Sequence, residues 1–235
     1  MQAILFDVFG TVVDWRSSLI AQFQALSAEL GRELPAETLT DQWRGHYAPS
    51  MDQVRSGALP WTVLDDLHRA SLVALLAQHG ISLDDAMVDR ITRFWHRLEP
   101  WPDTVDGLRR LQERFVIGTL TNGNLALMVD VKRHAGLPWD VLFCADLFQH
   151  YKPDPQVYLG ACRLLGLPPQ KVMLCAAHNY DLHAARALGL RTAFVPRPKE
   201  YGPGQRKDLA AEADWDVVAD DLVDLDRKLR DAASA

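Results

Sequence analysis

The chain has 235 residues, of which 48% are apolar and 24% charged, and its formal net charge is −6. This composition is ordinary for a globular protein with a hydrophobic core, and it excludes a disordered or collagen-like chain. The negative charge and the lack of a basic stripe argue against a nucleic-acid-binding protein.

Targeting and covalent signals are also missing from the sequence. No apolar run approaches the roughly 20 residues that span a bilayer, and Asp7 interrupts the N-terminal apolar stretch too early for a signal peptide. The three cysteines, Cys144, Cys162 and Cys175, lack CxxC spacing and predict neither a disulfide framework nor a zinc site. The sequence therefore predicts a soluble, cytoplasmic protein.

The first part of the chain predicts one strand followed by a helical insertion. Residues Gln2 to Val8 are apolar and β-prone, and they run into the turn Phe9 to Thr11. From 15 to 98 apolar residues recur at helical spacing in three runs, without a comparable strand signal. Pro100 and Pro102 fit a stiff linker back to the sheet. We predict a helical cap domain over 15–98.

The rest of the chain alternates short apolar runs with stretches of helical periodicity. This alternation predicts a doubly wound, parallel α/β sheet with right-handed crossovers. Together with the first strand, residues 1–14 and 99–235 would form the core domain, which ends in a charged helix over 220–235. The four later strands are predicted at 115–120, 141–144, 172–175 and 191–195.

Polar residues follow the predicted strands, at the edge where open parallel sheets bind their ligands. Asp7 follows the first strand, and Thr121 and Asn122 follow the second. Lys152 comes a few residues after the third, and Asp181 follows the fourth. Each residue has an ordinary structural explanation, such as a helix cap, a turn or a surface lysine. Their combination in this order indicates an active site.

These residues resemble a known set of motifs. Asp7 to Thr11, Thr121 to Gly123, Lys152-Pro153 and Asp181 resemble the four motifs of the haloacid dehalogenase superfamily. The resemblance covers nearly the whole chain, including the cap, and is strongest to the type II, L-specific 2-haloacid dehalogenases. It implies hydrolysis of a short halogenated carboxylic acid to a 2-hydroxy acid and a halide ion. It also implies no cofactor, no metal, no nucleic-acid or membrane partner, and a homodimer.

Phe9 favours the dehalogenase branch over the phosphatases of the superfamily. Phosphatases carry a second aspartate two residues after the nucleophile, because the departing alkoxide must be protonated. Halide is a stable anion and needs no proton. Phe9 cannot donate one and offers the substrate an apolar wall instead. The alternative is that Phe9 packs beneath the cap of a phosphatase relative that has lost its activity.

The resemblance assigns roles to the remaining motif residues. Asp7 would attack the halogen-bearing carbon and form an ester with inversion, while Lys152 and Thr11 hold its carboxylate in place. Thr121 and Asn122 would bind the substrate carboxylate.

Two further residues match the family pattern outside the strand ends. Arg44, in a Trp-Arg pair of the cap, would receive the halide, because a guanidinium is permanently charged. Tyr158 matches an active-site tyrosine and would contact the substrate. An exposed helix arginine and a core aromatic are the structural alternatives.

The fourth motif departs from the family pattern Ser-Ser-Asn-Ala-Trp-Asp. Ala176 replaces the serine, His178 the substrate-facing asparagine and Tyr180 the tryptophan, so His178 and Tyr180 are expected at the substrate. In the cap, Gly45 stands directly after Arg44 where glutamine is expected. These changes leave the size and polarity of the pocket open. His178 could contact the halide or the carboxylate, help Asp181 to position water, or be merely structural.

Two other functional classes remain open from sequence. A metal-dependent phosphatase of the same fold would use Asp7 and Asp181 to hold magnesium, which Phe9 opposes. A catalytically silent binding protein would result if the departures at Ala176 and Gly45 abolished turnover.

Overall fold

The computed structural model describes residues 1–234 as a central sheet surrounded by helices. The strands are β1 (Ala3–Phe6), β2 (Val13–Asp14), β3 (Glu99–Pro100), β4 (Val116–Thr121), β5 (Val141–Cys144), β6 (Val172–Ala176), β7 (Arg191–Phe194) and β8 (Val217–Val218). The helices are α1 (Trp15–Leu30), α2 (Ala36–Gly45), α3 (Tyr47–Arg55), α4 (Leu64–Gln78), α5 (Asp85–Thr92), α6 (Thr104–Gln112), α7 (Leu125–Ala135), α8 (Ala145–Phe148), α9 (Pro155–Leu165), α10 (Asn179–Ala187) and α11 (Leu222–Ser234).

The main sheet is parallel throughout, with the strand order β5-β4-β1-β6-β7-β8. Its centre is β1, where Leu5 lies between Gly118 of β4 and Leu174 of β6. All four residues of β1 are buried, because helices cover both faces of a parallel sheet and require an unbroken apolar strand. The chain continues to β4 on one side of β1 and to β6 on the other. The doubly wound α/β fold predicted from the sequence is confirmed.

A short antiparallel ribbon joins the sheet to the helical segment. Val13 pairs with Pro100 and Asp14 with Glu99, so the two ends of residues 15–98 lie side by side. Between these strands the chain forms α1 to α5 and a 3₁₀ helix, Arg93–His96. Pro100, predicted as part of a linker, belongs instead to the ribbon. That this segment works as a separate cap domain stays a prediction.

The ends of the structure agree closely with the predicted elements. The last helix spans Leu222–Ser234, and Ala235, the final residue of its predicted range, lies outside the described residues. The three cysteines are buried and unpaired. Within residues 1–234, no helix has the length and apolarity that a membrane crossing requires.

Helix α6 packs so closely against α11 that a side chain added at Gly107 should destabilise the fold. A Cβ on Gly107 would lie 2.5 Å from the Cβ of Leu222 and 2.7 Å from its carbonyl carbon. Alanine normally stabilises a helix by up to ~1 kcal/mol over glycine, but overpacking costs about 1–3 kcal/mol. We expect Gly107→Ala to lower the free energy of unfolding by about 1–2 kcal/mol in urea titrations. Gly45→Ala is the control, since its Cβ would meet nothing within 4 Å; equal effects of the two substitutions would contradict the prediction.

Candidate active site

Asp7 stands at the carboxyl end of the central strand, where it accepts hydrogen bonds on both carboxylate oxygens. Lys152 Nζ lies 2.9 Å from Oδ1, while Thr11 Oγ1 and His178 Nδ1 lie 2.8 Å and 3.0 Å from Oδ2. Burial raises the pKa of Asp7, but the charges of Lys152 and His178 outweigh burial and hold the pKa well below its usual range. Asp7 is therefore an ionised carboxylate.

Lys152 connects Asp7 to a second buried carboxylate. Its Nζ donates to Asp7 and also to Oδ2 of Asp181, and its backbone N–H donates to Asn122 Oδ1 at 2.7 Å. Burial lowers the pKa of Lys152, but the two carboxylates raise it above its ordinary value. The ammonium group is therefore permanently charged, and Asn122 fixes the loop that carries it.

Tyr158 acts on the site through Asp181. Its hydroxyl donates to Asp181 Oδ1 at 2.5 Å, and both side chains are fully buried. Burial raises the pKa of Asp181 above its ordinary value, although the charge of Lys152 opposes this effect. Sequence reasoning placed Tyr158 against the substrate, whereas here its hydroxyl is engaged by Asp181.

The loop after β1 is held by Thr11 and Gly10. Thr11 Oγ1 donates to Asp7 and accepts from the backbone N–H of Ala177 at 2.9 Å, which ties this loop to the one after β6. Gly10 has φ +88°, and a Cβ there would lie 2.2 Å from Glu200 Oε1. Both the backbone conformation and the neighbouring carboxylate therefore require glycine.

Glu200 is a site residue that the sequence analysis missed. Its oxygens lie 2.9 Å and 3.1 Å from His178 Nε2, and Oε1 accepts from Trp15 Nε1 at 3.0 Å. Burial lowers the pKa of His178, but Glu200 and Asp7 raise it overall to about 10. Burial raises the pKa of Glu200, whereas His178 and Arg44 lower it below the ordinary value. Glu200 follows the strand predicted at 191–195, and this position near a strand end is the sequence signal that could have identified it.

A cavity of about 520 Å³ separates this charged cluster from the helical segment. Asn122, Lys152 and His178 reach it from the sheet side, while Tyr180 and Tyr201 reach it from later loops and helices. The helical segment contributes further lining side chains, which include Trp15, Arg44, Tyr47 and Met51.

Arg44 supplies the cavity with hydrogen-bond donors. Its guanidinium carbon lies 3.9 Å from the ring centre of Tyr47 and 5.1 Å from that of Trp15. Its Nη1 is buried, and within residues 1–234 no acceptor satisfies it. Buried donors in native proteins are nearly always hydrogen-bonded, so this position suits a small anion.

Phe9 and Thr121 are buried beside the cavity but are not among its lining residues. The ring of Phe9 meets Trp95 and Tyr47 edge-on, with centroid distances of 5.6 Å and 6.3 Å. Thr121 Oγ1 accepts from the backbone N–H of Gly123 at 3.1 Å. Thr121 therefore stabilises the turn after β4, and of the predicted pair only Asn122 reaches the cavity.

The doubly wound sheet and the charged cluster at its carboxyl edge are those of an α/β enzyme. The chain belongs to the haloacid dehalogenase-like hydrolases, since the model of that family matches residues 1–189. The resemblance inferred from the motifs is thereby confirmed.

Named relatives fall mainly in one branch of this family. A solved L-2-haloacid dehalogenase is 68% identical, with a TM-score of 0.97 over 98% of this chain and 99% of that chain. (S)-2-Haloacid dehalogenase 4A of Burkholderia cepacia is 28% identical over 86% of this chain and 87% of that protein. An N-acetylmuramic acid 6-phosphate phosphatase of Pseudomonas aeruginosa is also 28% identical, over 98% of this chain and 97% of its own length.

The environment of His178 predicts how stability changes with pH. Its pKa is raised on folding from 6.5 to about 10, so its contribution is complete below pH 6.5 and is lost as the pH rises toward 10. Between neutral pH and pH 10, the free energy of unfolding should fall more for the wild type than for His178→Gln, by on the order of a few kcal/mol. Urea titrations across this range provide the measurement. Parallel pH curves for the two proteins would mean that His178 is neutral in the folded state.

Proposed function

We propose that this protein hydrolyses the carbon–halogen bond of short (S)-2-haloacids, such as haloacetate and 2-halopropionate. Phe9 carries the proposal, because an apolar ring stands two residues after the ionised Asp7, where a phosphatase needs an acid. The named dehalogenase relatives support the same substrate class.

In the first step, a carboxylate oxygen of Asp7 attacks the halogen-bearing carbon in-line and displaces the halide with inversion. Lys152 and Thr11 orient the carboxylate, so the attacking oxygen is already positioned and largely stripped of water. Asn122 binds the substrate carboxylate with help from loop backbone amides. Arg44 receives the halide as negative charge moves from Asp7 onto the leaving atom. The helical segment covers the site as a cap.

In the second step, water attacks the ester carbonyl of Asp7 and releases the 2-hydroxy acid. The family serine replaced by Ala176 is not needed to hold Asp7, because Thr11 and His178 already bond to Oδ2. This arrangement favours an active enzyme over a silent binding protein. The homodimer and the cytoplasmic location stay predictions.

One set of assays separates dehalogenase, phosphatase and silent protein. We expect halide release from chloroacetate and L-2-chloropropionate to continue after prolonged chelator treatment, with no hydrolysis of p-nitrophenyl phosphate. Lys152 already provides a cation between Asp7 and Asp181. Phosphate release that depends on added magnesium would favour the phosphatase, and no reaction with any substrate would favour the binding protein.

A labelling experiment tests Asp7 as the nucleophile. In a single turnover in heavy-oxygen water, the product should carry the light oxygen of Asp7, because the substrate carbon bonds to the carboxylate before water enters. Asp7→Asn should lose turnover by at least about 1,000-fold, since a neutral amide is a poor nucleophile. Mass spectrometry of the product is the measurement. Heavy oxygen in the first-turnover product would exclude the ester route.

Substitutions of Arg44 test the halide site. Loss of one preorganised donor in a water-poor site costs roughly 3–4 kcal/mol, so Arg44→Ala should slow turnover on the order of a few hundred-fold. Arg44→Lys should recover only part of the lost turnover, because an ammonium group lacks the planar set of donors of a guanidinium. The loss should be greater for the chloro acid than for the bromo acid. Arg69→Ala, which removes only surface ion pairs, is the control. If Arg44→Ala keeps its turnover within about threefold of wild type on both acids, the halide binds elsewhere.

A further inference from the structure

Two side chains near Asp7 could activate the water that hydrolyses the ester, and the first, Asp181, already accepts hydrogen bonds on both carboxylate oxygens. Asp181 accepts from Tyr158 through Oδ1 and from Lys152 through Oδ2, and its side chain is fully buried. Asp181 is also not among the residues that line the cavity, so a water molecule there does not contact its carboxylate. Its contacts fit a residue that holds Lys152.

His178 is the second candidate, and its two ring nitrogens face different carboxylates. Nδ1 lies 3.0 Å from Asp7 Oδ2, and Nε2 lies 2.9 Å from Glu200 Oε2. The imidazole is also part of the cavity wall. It therefore bridges the nucleophile and a buried acid while it remains within reach of a water molecule in the cavity.

The groups around His178 account for its charge in the resting enzyme. Two carboxylates contact it directly, while the cations Lys152 and Arg44 act on those carboxylates. The ring of Tyr180 lies 5.8 Å from the imidazole, between ring centroids. The direct contacts favour a doubly protonated imidazolium, which donates to Asp7 and Glu200.

We propose that His178 is the general base for hydrolysis of the ester, and that Glu200 is the positioning residue that holds it for this step. The proposal rests on the proposed function, because it requires the ester of Asp7. Neither the motif resemblance nor the names of the relatives assigns a role to Glu200.

Formation of the ester itself would switch His178 into a base. When Asp7 bonds to the substrate carbon, its negative charge leaves with the halide. One of the two carboxylates that raise the pKa of His178 is then lost, and the Nδ1 proton is released to solvent. Glu200 keeps the Nε2 proton by hydrogen bonding, so the lone pair of Nδ1 faces the ester. A fixed acid selects the useful tautomer in the same way in other histidine-dependent hydrolases.

The protons balance over the complete cycle. Water attacks Cγ of Asp7 as its proton passes to Nδ1 of His178. The tetrahedral intermediate expels the 2-hydroxy acid by breaking the bond between Cγ and the ester oxygen, and the alkoxide takes the proton from His178. The new carboxylic acid of Asp7 then protonates His178 and restores the resting pair. The net products are the hydroxy acid, the halide and the one proton released after ester formation.

Glu200 is held rigidly enough for this role. It is 1% exposed, Trp15 Nε1 donates to its Oε1 at 3.0 Å, and Gly10 packs directly against its carboxylate. A buried carboxylate is costly unless it is paired, and His178 is the cation that pairs with it. The contact with Glu200 therefore fixes the position of the imidazole and also stabilises its positive charge.

Rapid mixing of Glu200→Gln and His178→Gln with chloroacetate tests the proposal. We expect both variants to release a burst of one chloride per active site, at a rate within about threefold of wild type for Glu200→Gln, followed by turnover slowed at least about 100-fold. The peptide that contains Asp7 should carry the ester after acid quenching. Glu200→Asp, which keeps the charge at a shorter reach, should recover part of the slow step. Glu113→Gln removes an exposed acid far from His178 and should match the wild type.

The pH profile separates a positioning role from a structural one. Loss of the Glu200 charge should lower the pKa of His178 in the ester, so the ascending limb of kcat should move to lower pH in Glu200→Gln. A merely structural residue would reduce kcat without moving this limb. No burst, a burst slowed as much as turnover, or an unmoved limb would overturn the proposal. Absence of any halide release by the wild type would instead refute the proposed function.

Discussion

The buried ammonium group of Lys152 is the interaction on which the candidate site depends. It donates to Asp7 and Asp181, and neither carboxylate could remain ionised in the interior without a cation. Around this centre, Glu200 is paired with His178. The interior of the enzyme thus carries several full charges, each stabilised by a neighbour of opposite sign. Removal of Lys152 would leave Asp181 without its cation, and removal of His178 would leave Glu200 without the imidazolium that pairs with it.

Much of the fold could be predicted because apolar runs and polar strand ends are local patterns. A parallel sheet brings successive strand ends to one edge, so Asp7, Lys152 and Asp181 were expected to meet although they are far apart in sequence. The ribbon of β2 and β3 was missed because two-residue strands carry no periodicity. A strand-end position also does not say which way a side chain turns, and for this reason Thr121 stabilises the turn after β4 where a substrate contact was expected. Tyr158 lies in α9 and was expected at the substrate from the family resemblance alone, whereas its hydroxyl donates to Asp181.

Glu200 shows a different limit of sequence reasoning. It lies in the loop after β7, and its contact with His178 depends on the path of that loop. The histidine itself was noticed only as a departure from the family motif. The role of His178 depends on two partners, Asp7 and Glu200, that are 171 and 22 residues away in sequence. A substitution in one motif can therefore be interpreted only together with the residues that the fold brings to it.

The ribbon of β2 and β3 brings the two ends of the helical segment together. Because Asp14 and Glu99 are paired neighbours, a tight hairpin could close the chain between them without disturbing the sheet. Evolution could therefore exchange the whole segment for one of another length and shape, while the nucleophile loop keeps its geometry. Such an exchange would have to keep Trp15, which donates to Glu200, and Arg44, which lines the cavity. Diversification of this scaffold would accordingly be constrained where the segment faces the site and freer on its outer side.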